Sequence, residues 1–228
     1  MNSKYWSSSE SSQFHTMQSF KDEYLYPYII PLINAENPVE FLDYGCGNGF
    51  VATLLDNKTR KYLYDANPAS IQIELEKFNA RVVSRPGLRQ NFYDTVLLSY
   101  VLICIQDETM FTEVIADIAN AIKPGGVLII AECHPCFRGQ KFSYMKSDFD
   151  ASYFDEGAAE HKTLFDKDGG TVNFDDYHHS MSFILNHLAD VGFALEKMIE
   201  TKDTCNVKGR VNNIKYPNSM ILKLRKVG

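Results

Sequence analysis

Short runs of β-prone apolar residues alternate along this chain with longer stretches whose apolar positions recur at helical spacing. A first strand is read in PVEFLDY, where Val39, Phe41 and Leu42 lie between Pro38 and a glycine turn. The helix after it is NGFVATLLD, with Phe50, Val51, Leu54 and Leu55 on one face behind Asn48 as cap. KYLY and ARVVS follow as strands. NFYDTVLLSYVLICI, with Asp94 at its entrance, and VLIIAECHP, after a Lys123-Pro124-Gly125 stop, give a fourth and a fifth. Between these two, Asp107 caps a helix carrying Phe111, Val114, Ile115, Ile118 and Ile122. A later helix repeats Met181, Ile184, Leu185, Leu188 and Val191 and closes at Gly192, ahead of two last β-prone runs, FALEKMIET and NSMILKLRKV. MQSFKDEYLYPYIIPLI reads as a leading helix broken at Pro27 or Pro31. Strand alternating with helix predicts a mostly parallel sheet covered on both faces.

The glycine turn is where chemistry first shows. DYGCGNG places Gly45, Gly47 and Gly49 between a strand and a helix start, an anion- or nucleotide-binding corner at which backbone N–H groups face the ligand. A dinucleotide fingerprint would need glycine at the sixth position from Gly45, where Phe50 stands, and a P-loop would need a Gly-Lys-Ser/Thr close that is absent. Asp65 lies at the end of KYLYD, at the ~20-residue spacing by which such units place an acid on a ribose. Its alternative role is to cap the helix starting near Pro68, for which Asn67 competes.

An acid, any residue, then Gly45, Gly47 and Gly49 resembles the first motif of class I S-adenosylmethionine-dependent methyltransferases. The fourth and fifth strands resemble that family's too. The tail, DYHHSMSFILNHLADVGFALEKMIE followed by YPNSMILKLRK, is similar to blocks of bacterial small-molecule methyltransferases. The resemblance spans roughly residues 35 to 225 and implies a Rossmann-like sheet of seven strands in the order 3-2-1-4-5-7-6, the last strand antiparallel. It implies S-adenosylmethionine as cofactor, held by Asp43, Gly45, Cys46, Gly47 and Gly49, by Asp65, Ala66 and Asn67, and at the methionine end by Ser99 and Tyr100. Two departures stand out. Arg85 occupies the place of an acid that bonds adenine, leaving Pro86, backbone groups or another residue for that task, and His179 stands where the family often has Arg after a Tyr-His pair, here Tyr177 and His178.

Between Pro135 and His179 lies a long aromatic-rich connection, the kind that is usually a lid or binding loop. It is expected to wall the acceptor pocket, with Tyr153, Phe154, Tyr177 and His179 as substrate contacts. His178, at the mouth of the following helix, and His134, at the end of the fifth strand, are the two candidates for a general base. Residues 1–34 are then a flap and leading helix, 35–228 the methyltransferase domain, and 135–179 its lid.

Composition narrows the partner. A formal net charge of −6 argues against a nucleic-acid footprint, and Lys208, Arg210 and Lys215 read as a solvated loop. Val96 to Ile105 is too short to span a membrane, the N-terminus lacks an apolar export core, and five cysteines fit reduced thiols of a cytoplasmic protein. Cys133, His134 and Cys136 have no second ligand pair at zinc spacing, so no metal is expected. The expected reaction is methyl transfer to an O or N nucleophile of a small molecule. Its rivals are an RNA methyltransferase, which should show a basic face, a nicotinamide oxidoreductase, and a cofactor-binding protein without turnover.

Overall fold

The computed structural model describes residues 18–228, so the serine-rich segment and the proposed N-terminal flap up to residue 17 lie outside the described residues. The leading helix is two: α1 (Gln18–Tyr24) and α2 (Tyr26–Ala35). The break falls just ahead of Pro27, which sits in the first turn of α2 where its missing N–H costs nothing, while Pro31 is carried inside the helix.

Five parallel strands follow: β1 (Glu40–Tyr44), β2 (Arg60–Tyr64), β3 (Ala80–Val82), β4 (Tyr93–Ser99) and β5 (Ile122–Cys133). The chain ends on β9 (Phe193–Glu200) and β10 (Ser219–Lys226). The sheet runs β3-β2-β1-β4-β5-β10-β9, with β10 antiparallel to both its neighbours. Counted within the sheet, this is the expected order. One local feature differs from expectation. Lys123 to Gly126 was read as a turn between helix and strand, yet Tyr93 pairs with Ile122 and Thr95 with Val127, so the Pro-Gly-Gly stretch is a bulge carried within β5.

Helices α4 (Glu108–Ala121) and α5 (Met181–Asp190) cover one face; α4 is capped by Asp107, as the pattern assigns, on the N–H of Met110, and α5 by Ser180 on that of Phe183. The other face is covered by α1, α2 and the short α3 (Phe50–Thr53). The connection from 135 to 179 is itself folded, as an antiparallel sheet of β6 (Met145–Asp148), β7 (Ala159–Phe165) and β8 (Thr171–Tyr177). Among the described residues, no helix is long and apolar enough to cross a membrane.

Asp94 braces the entrance of the two central strands. One carboxylate oxygen accepts the N–H groups of Val39 (3.0 Å) and Glu40 (2.8 Å), and the other the Lys123 ammonium at 2.6 Å. Burial works against the charge, but the Lys123 bond and the two N–H groups prevail and hold the carboxyl below its usual range. A depressed carboxyl stabilises the fold above the unfolded-state pKa and ceases to do so as pH falls through the folded value. Asp94→Ala should therefore cost about 1.5–3 kcal/mol at pH 7, read by urea denaturation, with the gap to wild type closing below about pH 4.

Candidate active site

At the C-terminal end of β1 the chain turns on three bonded N–H groups. Those of Gly45 and Cys46 both point at the Tyr64 carbonyl, at 2.7 and 2.9 Å, and that of Gly47 donates to Asp65 Oδ2 at 2.8 Å. Asp65 Oδ1 accepts the N–H of Asn67 at 2.8 Å, so one carboxylate ties the glycine turn to the end of β2. Gly45 is required for two reasons: its backbone is left-handed, φ +78°, and a Cβ there would lie 2.4 Å from a Val101 methyl. Gly47 is left-handed as well, φ +56°, with open space where a Cβ would project. Gly49 caps α3 and packs against Leu63 and Ile73, away from the opening.

The turn borders a cavity of about 220 Å³. Asp43, Gly45, Cys46, Gly47, Asp65, Ala66, Ser99 and Tyr100 all line it, so most of the residues expected to hold the cofactor converge on one space. Asp65 and Ala66 also border a shallower groove formed with Tyr64, Pro68, Val82, Val83, Ser84 and Arg85. There the Arg85 guanidinium is turned toward α4, paired with Asp117 and with Glu113 at 3.3 Å, while Pro86 and Asn67 line neither opening.

Three residues lining the cavity have a buried polar atom without a hydrogen-bond partner: Asp43 Oδ2, Ser99 Oγ and, in the inserted sheet, Asp176 Oδ1. Burial pushes the Asp43 carboxyl up to about 7, against the nearby Lys21 ammonium and with help from the Asp65 charge. Tyr100 has left-handed backbone, φ +57°, uncommon for a residue with a side chain, and its hydroxyl lies 2.8 Å from Ser219 Oγ and 3.3 Å from Tyr24 Oη.

The expected bases and acceptor contacts lie elsewhere. His134 is buried outside the cavity lining, Nε2 at 2.9 Å from Glu200 and Nδ1 accepting the Cys136 N–H. His178 is fully buried between Phe149 and Tyr153, with Nε2 bonded to the Tyr153 carbonyl at 2.8 Å. His179 gives Nε2–H to the Ile105 carbonyl at 2.7 Å and stacks on Phe183. Burial pushes all three imidazoles down, so each is a neutral, hydrogen-bonded side chain. Tyr153 Oη accepts the Met181 N–H, and Glu156 takes both the N–H and the hydroxyl of Ser180. These residues anchor the start of α5 to the inserted sheet. Phe154 is 78% exposed, and neither it, Tyr153, Tyr177 nor His179 lines the cavity.

In their place the cavity has Lys21 and Tyr24 from α1, Tyr144 and Met145 at the start of β6, and Lys162, Leu164, Phe174 and Asp176 from β7 and β8. The inserted sheet is thus the cavity's roof. None of the four residues expected to contact the acceptor from this segment belongs to the part of it that borders the cavity.

The chain matches the methyltransferase-domain family over residues 17–169. The chain belongs to the S-adenosylmethionine-dependent methyltransferases. Over 206 residues it is 21% identical to N-demethylindolmycin N-methyltransferase of Streptomyces griseus, covering 82% of this chain and 86% of that protein. An S-adenosylmethionine-dependent methyltransferase from Clostridium acetobutylicum superposes with a TM-score of 0.66 at 15% identity, covering 95% of this chain and 99% of the other. The 1,6-didemethyltoxoflavin-N1-methyltransferase of Burkholderia thailandensis does so with 0.59 at 13%, covering 95% and 85%. The cofactor of this methyltransferase is S-adenosylmethionine, and the open backbone at Gly47 with the orphaned Asp43 and Ser99 oxygens fits a polar ligand brought against the turn.

Asp65→Ala should weaken S-adenosylhomocysteine binding by about 1.5–3 kcal/mol, the scale of hydrogen bonds to a charged acceptor. Part of that loss would come through the released Gly47 turn. Titration calorimetry checks it, and an unchanged affinity would remove Asp65 from the cofactor site.

Proposed function

We propose that this methyltransferase moves the methyl group of S-adenosylmethionine to a nitrogen of a small, largely aromatic acceptor. The observation that carries the reading is the cavity itself, polar where the glycine turn meets Asp43, Asp65 and Ser99 and aromatic where Phe20, Tyr24, Tyr144 and Phe174 enclose it. A pocket mostly apolar with a few placed polar groups suits a small molecule. The acidic net charge gives no attraction to phosphate backbones. The N-methyltransferase names of the Streptomyces and Burkholderia relatives favour nitrogen over oxygen.

In this reading Asp65 binds the ribose hydroxyls, the groove along Tyr64, Val82 and Arg85 takes the adenine, and Asp43 and Lys21 face the amino-acid end of the cofactor. When bound, S-adenosylmethionine supplies a sulfonium methyl, so the protein's tasks are to align the acceptor, exclude water and dispose of one proton. The roof of β6, β7 and β8 does the excluding. Of its residues at the cavity, Tyr144, Met145, Lys162, Phe174 and Asp176 are buried and Leu164 is half-buried.

Methyl incorporation from labelled S-adenosylmethionine should appear in small-molecule extracts and not in tRNA or rRNA, with label recovered as N-methyl. Faster labelling of RNA than of the metabolite pool would overturn the reading. A second expectation comes from Asp43. Its carboxyl titrates near 7, and a cationic ligand selects the ionised form, so affinity for S-adenosylhomocysteine should rise by up to about tenfold from pH 6 to pH 8. Asp43→Asn should flatten that slope, and comparing it with wild type cancels the contribution of Lys21, which both proteins keep.

A further inference from the structure

The roof carries a buried cluster of four charged side chains that the cofactor reading does not use. Lys162 on β7 and Asp176 on β8 are each about 1% exposed, as is Glu160, and the Arg138 side chain is 5% exposed. Lys162 Nζ lies 2.6 Å from Asp176 Oδ2, 3.0 Å from Cys133 Sγ and 3.5 Å from Glu160 Oε2. Its three protons are therefore all directed at protein atoms. Arg138 is paired with Glu160, whose other oxygen takes the Gly139 N–H at 3.4 Å. After this count, one carboxylate oxygen of the cluster is left over. Asp176 Oδ1 is buried, has no partner, and belongs to a residue that lines the cavity.

We propose that Asp176 is the group that holds the acceptor's nucleophile, its Oδ1 receiving the hydrogen bond of an N–H and then the proton. This rests on the methyl-transfer reading above and adds to it the chemical class of the acceptor: a neutral nitrogen that carries a hydrogen, attached to a flat apolar body that fits against Tyr144, Leu164 and Phe174. Lys162 is needed to keep Asp176 ionised in a buried place and to fix which of its oxygens faces inward. Lys162 has no proton to spare for the acceptor, and Arg138, whose buried Nε also lacks a partner, does not line the cavity, so toward the cavity the cluster offers an acceptor of hydrogen bonds and no donor. As the N–CH₃ bond forms from the nitrogen lone pair, the S–CH₃ bond breaks with its electron pair remaining on sulfur. The nitrogen's surplus proton passes to Oδ1, and the carboxylate becomes the acid.

The test uses paired fragments that differ in one N–H: indole against 1-methylindole, and benzimidazole against 1-methylbenzimidazole. Each is titrated into the protein saturated with S-adenosylhomocysteine and followed by ligand-observed NMR. Wild type should bind the N–H member of each pair about tenfold or more tightly, since methylation removes the donor and leaves a buried carboxylate oxygen unpaired. In Asp176→Asn, Lys162 claims the amide oxygen and the NH₂ group turns inward, so the discrimination should vanish. S-adenosylhomocysteine affinity should stay within twofold of wild type. Equal binding of both members by wild type would overturn the proposal without any variant, and so would discrimination that survives in a folded Asp176→Asn. Failure of wild type to bind S-adenosylhomocysteine at all would instead refute the methyl-transfer reading.

Discussion

The end of β1 is pinned to the end of β2, and everything chemical in this protein depends on that. Two adjacent N–H groups share the Tyr64 carbonyl and a third is taken by Asp65, so the chain leaves the sheet through left-handed backbone at Gly45 and Gly47, which glycine adopts without strain. The parallel pairing of Phe41 with Lys61 through Tyr44 with Tyr64 sets the two strand ends level. Without that register the carboxylate would not reach Gly47. Asp94 works at the opposite end of the same strands, taking the N–H groups of Val39 and Glu40 so that β1 enters beside β4. A pair of carboxylates, one at each end, thus fixes the strand that carries the turn.

The roof is held by a different kind of force. Four charges withdrawn from water cost far more than a surface ion pair, and they persist only because each is bonded and the signs balance, two carboxylates against Lys162 and Arg138. Burial raises the Asp176 carboxyl, Lys162 opposes it, and the Glu160 carboxyl is held low, down to about 2, with Lys162 and Arg138 outweighing its own burial. An apolar roof of the same shape would be as stable or more so. A charged one is directional, and the carboxylate oxygen it leaves unbonded belongs to Asp176, a residue that lines the cavity.

Much of this was legible in the sequence and the remainder has a physical reason for being hidden. Strand order, the glycine turn, Asp65 and the cavity-lining pair Ser99 and Tyr100 at the end of β4 are local signals, because each lies on a strand or on the turn that directly follows it. The acceptor side is assembled from α1, β6, β7 and β8, whose contributions no local pattern links. His178 looks like a base and His179 like a substrate contact from their place at a helix mouth, but that place is a structural joint, where Tyr153 and Glu156 satisfy the first N–H groups of α5 and the imidazoles bond carbonyls. A signal for the roof did exist. In AEHKTLF and TVNFDDY, Glu160 and Lys162 alternate with His161 and Thr163, and Phe174 and Asp176 with Asp175 and Tyr177. Charges in phase with a phenylalanine on a two-residue period mark an inward ionic face.

The two halves of the cavity have opposite relations to charge, and that difference explains why both are needed. At the glycine turn, Asp43 is a carboxyl that burial has pushed to about 7, with Lys21 as the nearby opposing charge and one oxygen unbonded. Its ionisation is completed by a cation arriving from outside. In the roof, Asp176 already has its cation in Lys162, bonded at 2.6 Å. Its charge is paired before any ligand enters, and what its free oxygen lacks is a hydrogen. A sulfonium brought against the first end is an electrophile that needs no proton chemistry, whereas the nucleophile at the second must shed a proton once it has taken the methyl. Placing the incomplete carboxyl where positive charge arrives and the prepaired carboxyl where a proton leaves lets one small cavity serve both without either carboxylate capturing the other's partner.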